Sequence, residues 1–338
     1  MPDGITSGTL PALPLAEDAL ATWFADRLGA GSARLTRIHL LPGGAIQHNW
    51  RVDVETDAAS HAFVVRAGPE IALPESRSKS DEFAFLRSAR DAGVPVPEPM
   101  WLWVGDTPFF VTGFLSGDAR REALVARADN TALVLDLGAV LARIHAVLPV
   151  DGVVAETPAA RVATLERWIG ALDRLDLGIR AELAAGIGWL QAHAPDRTPA
   201  TLVHRDFRTG NFLLENGRLV AVLDWEFAGW GDPAEDIGWF CAACWRGAAP
   251  DRAAGGLGAR EDFYGAYTAA GGAAPDAGRV FFWEVFAHLR WAVIALQQGA
   301  RARAGAHPAW ELEEAEARLP GLLRAVGEMV RTGVCAGG

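Results

Sequence analysis

Between Leu202 and Phe240 the chain reads LVHRDFRTGNFLLENGRLVAVLDWEFAGWGDPAEDIGWF. Its oxygen-bearing side chains are spaced so that they can act together. Asn216-Gly217 is a strong signal for a two-residue hairpin turn. With that turn Phe212 lies near Ala221 and Asn211 falls opposite Val222, so Asn211 and Asp224 stand at the open end of one hairpin, two residues out of step. Oxygen donors facing one small volume suit Mg²⁺, a hard cation that takes oxygen ligands and bound phosphate. Asp206, in His204-Arg205-Asp206 one loop upstream, is free to accept a hydroxyl proton. Phosphoryl transfer needs these parts: a metal to neutralise β/γ charge and a carboxylate to orient the nucleophile.

The elements that must position these groups fall into two stretches. Residues 1–16 read as a loose arm. Glu17–Leu28 has apolar residues at helical spacing and stops at Gly29-Ala30-Gly31. Arg37–Leu41, Asn49–Glu55, Ala62–Arg66, Met100–Val104 and Pro108–Leu115 alternate or are rich in β-branched residues, which predicts strands. A helix over Ser80–Ala92, capped by Ser80, is inserted among them. Beyond Gly117 the pattern turns helical: Thr131–Val147, Ala160–Leu175, Ile179–His193, Glu235–Trp245, Arg260–Ala269, Val280–Gln298 and Trp310–Arg331. Only the hairpin Phe212–Glu215 with Arg218–Asp224 interrupts it. The expected class is α+β. A small antiparallel sheet with one inserted helix fills 17–115, and a larger, mainly α-helical region fills 116–335.

The spacing H-R-D-x-x-x-x-N at His204–Asn211 is that of a kinase-like catalytic loop. From about Leu35 to Gln298 the chain resembles the aminoglycoside phosphotransferase family, the small-molecule branch of the protein-kinase-like fold that includes choline and homoserine kinases. The resemblance is most specific in VHRDFRTGNFLL and VLDWEFAGWGDPAEDIGWF. It implies a bilobal fold, ATP and Mg²⁺ as cofactors, Asp206 as catalytic base, and Asn211 and Asp224 as metal ligands. Asp236 resembles an aspartate that braces the catalytic loop from the next helix. Glu226 reaches the second metal sphere or the substrate, or is a solvated loop carboxylate. Arg208 touches phosphate or substrate, or is a surface charge.

In the N-terminal stretch, Leu41–Asn49 resembles the loop that covers the nucleotide phosphates, where Gly43 and Gly44 let backbone N–H groups approach. Family members carry a basic residue on the third strand, most often Lys, to grip the α/β-phosphates. Here that strand reads Phe63-Val64-Val65-Arg66, and Lys79 falls too near the next helix to lie on it. Arg66 is therefore the expected anchor, the other reading being an edge-strand surface charge. It keeps the charge and can bind bidentately through a wider fork. Glu82 is its expected partner, with Asp81 the competitor. Val111–Phe114, with Thr112 and Phe114, would be the hinge whose backbone meets adenine.

Composition narrows the rest. The 31 basic residues comprise 30 Arg and a single Lys, Lys79, against 42 acids, for a net charge of −11. An acidic chain without a basic stripe argues against nucleic acid as a partner. No apolar run approaches the ~18–20 residues that span a bilayer, so no membrane is expected. Three cysteines make no disulfide framework, and with no leader pattern at the start the expected compartment is the cytoplasm. Cys241-Ala-Ala-Cys244 lacks a second pair to complete a zinc site and reads as part of a buried helix. His145 reads as a packed or C-capping histidine, and most of the 13 Trp as core, with some lining an acceptor pocket more apolar than an antibiotic-binding one. The expected partner is a small molecule with a hydroxyl group, and the oligomeric state is unspecified. Asp232, Glu235 and Glu284 are the carboxylates that could line a pocket for a cationic antibiotic, but the late helices are not conspicuously acidic. A metabolite, such as a hydroxyacyl-CoA, is favoured over an antibiotic. The alternative to an O-kinase is a nucleotide-binding pseudokinase scaffold, motivated by Arg66 in the lysine position.

Overall fold

The structure, a computed structural model, describes residues 12–41, 47–68, 76–150, 153–172, 175–196, 198–303 and 309–333. The chain divides into two units, Met1–Arg90 with Val96–Ser116, and Asp91–Pro95 with Gly117–Gly338.

The first unit opens with α1 (Glu17–Leu28), whose acidic first turn favours the helix N-terminus and whose end is closed by Gly29 at φ +66°, in the left-handed region. The strands are β1 (Ala33–Leu40), β2 (His48–Thr56), β3 (Ser60–Ala67), β4 (Pro99–Trp103) and β5 (Phe109–Gly113). They pair antiparallel in the order β1-β2-β3-β5-β4. Trp50, Val52 and Val54 of β2 and Phe63, Val65 and Ala67 of β3 alternate toward one face and pack with Leu20, Trp23 and Phe24 of α1. The inserted helix α2 (Lys79–Asp91) lies between β3 and β4 in sequence. Its cap is Ser78 and not Ser80: the Ser78 hydroxyl accepts the Asp81 N–H at 3.1 Å. The helix starts earlier than the pattern indicated because Ser78 can satisfy its first free amides.

The second unit contains α3 (Arg121–Val125), α4 (Thr131–His145), α5 (Pro158–Gly170), α6 (Leu177–His193), β6 (Thr201–Val203), β7 (Phe212–Glu215), β8 (Arg218–Val222), β9 (Gly229–Gly231), α7 (Ala234–Cys241), α8 (Arg260–Ala269), α9 (Ala277–Arg303) and α10 (Ala309–Thr332). The core centres on α9, whose Phe282, Phe286, Leu289 and Val293 pack with Leu165 of α5, Leu183 of α6 and Leu323 and Val326 of α10. By length and hydropathy α9 matches a membrane span over Ala277–Ala300, a run longer than the sequence reading found, but 78% of the matching window is buried inside the unit. It is a core helix, apolar on most sides because neighbours cover most sides.

Two helices end differently from their patterns. α5 stops at Gly170, before Leu175. The stretch Glu235–Trp245 is α7 to Cys241 and then a 3₁₀ turn, Ala243–Trp245. α7 lies close on α9: a Cβ at Gly238 would fall 2.5 Å from that of Trp283. Glycine here permits an approach no larger residue could, which fixes the helix that carries Asp236.

Candidate active site

The loop bearing Asp206 runs from β6 to β7. β6 pairs with β9 over only three positions, Thr201↔Gly231 to Val203↔Gly229, a pairing too short to have left a pattern in the sequence. Arg205 follows at φ +64°, a conformation that non-glycine residues rarely adopt. Asp236, on α7 and fully buried, holds it there. Its two oxygens accept the N–H of His204 at 2.7 Å and of Arg205 at 2.6 Å. His145, at the end of α4, donates from Nε2 to the same carboxylate at 3.2 Å, and its Nδ1 meets the Tyr267 hydroxyl at 2.8 Å. His145 is thus packed, as expected, and also forms an outer layer of the brace. Burial alone would raise the Asp236 pKa; the hydrogen bonds from His145 and from the His204 amide outweigh it and hold the carboxyl below its ordinary value.

His204 is fully buried, and burial lowers its pKa against the pull of Asp236, Asp206 and Asp224. As a neutral ring it donates from Nε2 to Leu223 O at 2.9 Å and accepts the Asp206 N–H on Nδ1 at 3.2 Å. This residue ties the loop to the end of β8.

Asp206 is buried, and both oxygens of its carboxylate are engaged. Asn211 Nδ2 donates to Oδ2 at 2.6 Å and also to the Asp206 carbonyl at 2.9 Å. Arg208 Nε and Trp239 Nε1 both donate to Oδ1, at 3.0 and 3.1 Å. Trp239 is one of the tryptophans that the sequence divides between core and pocket without assigning each; nothing in its type distinguishes an indole N–H that orients a carboxylate from one that packs. Arg208 is fixed on Asp206 and is not a detached surface charge.

The hairpin differs from its predicted register. Glu215↔Arg218 and Leu214↔Leu219 pair as the turn dictates, but Leu213 then pairs with Ala221 and Phe212 with Val222. Val220 is a bulge. It slides the open end by one residue, so that Asn211 O accepts the Leu223 N–H at 2.8 Å. Asn211 therefore stands opposite Leu223, one residue out of step with Asp224, where an unbulged ladder gives two. Asp224 is half-buried at φ +67°, and such strain persists only where the surroundings enforce it. With Nδ2 committed to Asp206, Asn211 has its Oδ1 left for a cation. This oxygen and the Asp224 carboxylate are hard donors of the kind Mg²⁺ takes. No group of three or more His, Cys, Asp or Glu side chains suited to a metal occurs among the described residues, so protein donors here would leave coordination positions to phosphate and water. Glu226 is buried, not a solvated loop carboxylate.

In the first unit, Arg66 Nε donates to Glu82 Oε1 at 2.6 Å, and Asp81 instead bonds Ser78. Arg66 is largely buried, with 12% of its side chain exposed, and does not behave as an edge-strand surface charge. Glu82 has a second cation. Lys79 Nζ donates to Glu82 Oε2 at 2.6 Å and to Gln47 Oε1 at 2.6 Å. Asn49 Oδ1 accepts from Arg66 at 3.2 Å. Gln47 and Asn49 sit just past residues 42–46, and Gly43 and Gly44 lie outside the described residues. The only lysine, set aside by sequence because it is not on β3, shares its carboxylate with the arginine that is. Thr112 is buried within β5. Gly113 N–H donates to Glu98 O at 2.9 Å and Phe114 N–H to Ala62 O at 3.0 Å, so an adenine contact from these two residues falls to their carbonyls.

The acids considered for a cationic pocket are otherwise occupied. Asp232 is buried against Arg279 and Trp283 Nε1, Glu235 against Arg161 and Arg205, and Glu284 against Arg260. Cys241 is buried at the end of α7, and burial drives the Cys244 thiol pKa well up, which keeps it unreactive.

A model of the phosphotransferase enzyme family matches residues 37–281. Acyl-CoA dehydrogenase family member 10 of Mus musculus is 26% identical over 247 residues, 68% of this chain and 22% of that protein. The chain thus spans about a fifth of the length of that curated relative. A protein from Ralstonia eutropha JMP134, provisionally named an aminoglycoside phosphotransferase, superposes with TM-score 0.71 at 21% identity, covering 93% of this chain and 98% of that one. Spectinomycin phosphotransferase, in complex with ADP and spectinomycin, gives TM-score 0.63 at 11% identity over 94% of this chain and 100% of that one. At these identities the likeness to the solved structures is one of fold.

Proposed function

The chain belongs to the phosphotransferase enzyme family, and from that membership we propose that it moves the γ-phosphoryl group of ATP to a hydroxyl of a small molecule. The observation that carries the reading is the state of Asp206. Its carboxylate is buried, oriented by Asn211, Arg208 and Trp239, in a loop whose strained backbone is pinned by Asp236. Asp206 accepts the acceptor's proton as the oxygen–phosphorus bond to the acceptor forms and the bond to the β-phosphate oxygen breaks. Arg208 contacts the acceptor or the transferred phosphate. Asn211 Oδ1 and Asp224 would hold Mg²⁺, which when bound neutralises phosphate charge. In the first unit Arg66 and Lys79, both fixed on Glu82, serve the α/β-phosphates, and Thr112–Phe114 receive adenine.

The acceptor we favour is a metabolite, a hydroxyacyl-CoA before an antibiotic. Similarity to a segment of an acyl-CoA dehydrogenase family protein supports it. So does the burial of Asp232, Glu235 and Glu284 against arginines, which leaves these three acids poorly placed to meet a polycation.

The test is ADP release with Mg·ATP across aminoglycosides, choline, homoserine and hydroxyacyl-CoAs, beside Asp206→Asn. Acceptor-dependent release that falls by about 10²–10⁴ in the variant is expected, with the Kd for ADP within twofold of the parent. Equal turnover in the variant would remove the mechanism, and ATP binding without transfer to any acceptor would favour a scaffold.

A further inference from the structure

Beside Asp206 three tryptophans form a ladder. Ring centroids lie 4.9 Å apart for Trp239 and Trp245 and 4.8 Å apart for Trp245 and Trp291. Each rung carries a guanidinium: Arg290 at 4.5 Å from Trp239, Arg208 at 5.1 Å from Trp245, and Arg318 at 5.7 Å from Trp291. Arg121 joins them by donating to the Trp245 carbonyl at 2.7 Å.

The backbone makes room for this group. A Cβ at Gly247, φ +57°, would sit 2.4 Å from Arg121 Nη2, and one at Gly210, φ +114°, would sit 3.0 Å from Arg208 Nη1. Arg290 is committed, donating to Arg205 O at 2.5 Å. Arg208 and Arg121 both meet Trp245, Arg208 over its ring and Arg121 at its carbonyl. The ion pair that Arg208 makes is with Asp206, the group proposed to be the base. Arg121 Nε is buried without a hydrogen-bond partner among the described residues. Burial first, then the Arg318 and Arg208 charges, lower the Arg121 pKa, with Glu122 opposing. An anion placed here would relieve that crowding of positive charge.

The geometry also says which side of the base this cluster occupies. Asn211 holds Asp206 Oδ2, on the side of the proposed metal donors, whereas Arg208 holds Oδ1. Arg121 further lines a cavity of about 510 Å³ with Glu122, Val125, Asp251 and Arg252, and Arg252 is occupied by the Val125 carbonyl at 3.1 Å.

Resting on the kinase reading above, we propose that the acceptor carries a phosphate or carboxylate group that docks on Arg208 and Arg121 against Trp245. Docking draws the Arg208 guanidinium from Asp206 Oδ1 and opens that oxygen, which keeps its Trp239 hydrogen bond, to the acceptor hydroxyl. The anion thus both positions the acceptor and uncovers the base, so a neutral or cationic alcohol is a poor substrate even if it fits. Arg121 acts here as a specificity-determining residue.

Two measurements test this, one independent of turnover. The first is ³¹P line broadening of glycerol 3-phosphate with saturating Mg·AMP-PNP, so that the nucleotide's own phosphates are already placed. Broadening by the parent protein that is lost in Arg121→Gln and kept in Arg121→Lys is expected, with circular dichroism confirming that both are folded. The same titrations give the Kd for AMP-PNP. A loss there as large as the loss for glycerol 3-phosphate would assign the arginines to the nucleotide and overturn the proposal. The second compares kcat/KM for glycerol 3-phosphate and for glycerol, the same acceptor without the phosphate. At least a tenfold preference for the charged form, reduced in Arg121→Gln through KM, is expected. Equal values, or turnover confined to kanamycin or choline, would overturn the anion site and leave the kinase standing. If no acceptor turns over, the kinase reading fails, and the line-broadening result alone decides whether the anion site exists.

Discussion

Replacing Asp236 by Asn tests whether the catalytic loop is held or holds itself. Asp236 is 0% exposed and accepts two backbone amides, His204 at 2.7 Å and Arg205 at 2.6 Å, besides His145 Nε2. A hydrogen bond to a charged acceptor contributes about 1.5–3 kcal/mol, and a buried donor left unsatisfied costs about 1–3 kcal/mol. An asparagine keeps one acceptor oxygen and turns an NH₂ toward the second amide, donor against donor. One charge-assisted bond is lost and one buried N–H is orphaned, so the expected cost is about 3–5 kcal/mol, the range found on breaking buried ion pairs. Native domains hold about 5–15 kcal/mol, so the variant should fold with a much reduced margin. The second consequence is kinetic. Arg205 at φ +64° carries strain of order 1–3 kcal/mol, which the Asp236 bonds offset. Released, the backbone relaxes and carries Asp206 with it. A displacement of about 1 Å at a reacting group can cost about 10²-fold in rate. Urea unfolding followed by circular dichroism gives the first quantity, and ADP release from the folded variant gives the second. A stability change under about 0.5 kcal/mol, the scatter of ordinary surface substitutions, with kcat within twofold, would mean that the loop holds its own conformation and the reasoning is wrong.

Glu82→Gln should lower Tm by about 6–20 °C, because it leaves Lys79 and Arg66 charged and 7% and 12% exposed around a neutral partner. A buried pair broken from one side costs about 3–5 kcal/mol, and each kcal/mol moves Tm by about 2–4 °C in a domain of this size class. The same variant should bind ADP more weakly, and an unchanged Tm with unchanged ADP affinity would refute the role of the triad. Acid should destabilise the protein in two stages. His204 and His288 are buried with lowered pKa, His288 to about 4. The unfolded chain therefore takes up their protons first, and stability is lost as pH falls below the ordinary histidine value near 6.5. Asp236, held below its ordinary value, favours the fold above about pH 4 and loses that contribution as pH falls further. The urea midpoint should fall from pH 7 to 5 and again below 4; a midpoint flat between pH 7 and 5 would count against the buried neutral imidazoles.

What could be read from sequence was what neighbouring residues dictate to each other. α1 has the expected bounds because Glu17-Asp18 opens it and Gly29 closes it. The hairpin turn follows from Asn216 and Gly217, both at positive φ. The loop His204–Asn211 is legible because its parts are adjacent in the chain. The Val220 bulge was not, since a valine suits an in-register strand equally well and the extra residue has no chemical mark. Nor were the partners of Asp232, Glu235 and Glu284, which lie far off in the sequence. A carboxylate that neutralises a buried arginine and one that greets a cationic substrate look alike until the fold pairs them.

The same distinction governs two further arginine–carboxylate pairs, those proposed to serve the phosphates and the base. An element rule, a cation on β3, selects Arg66 and discards Lys79. Yet Lys79 is at the first position of α2 and Glu82 stands three residues on, the spacing at which helical side chains meet. Arg66 reaches the other oxygen of the same carboxylate from the sheet. What counts for binding a phosphate is where the charged atoms end, not which element they start from. Arg208 makes the complementary case: it lies where the motif puts it, but its meaning comes from residues far off in sequence, Trp245 beneath it and Trp239 sharing its acceptor oxygen on Asp206. A guanidinium fixed on an aromatic face at the base is a barrier to an acceptor that cannot bind it and a handle for one that can.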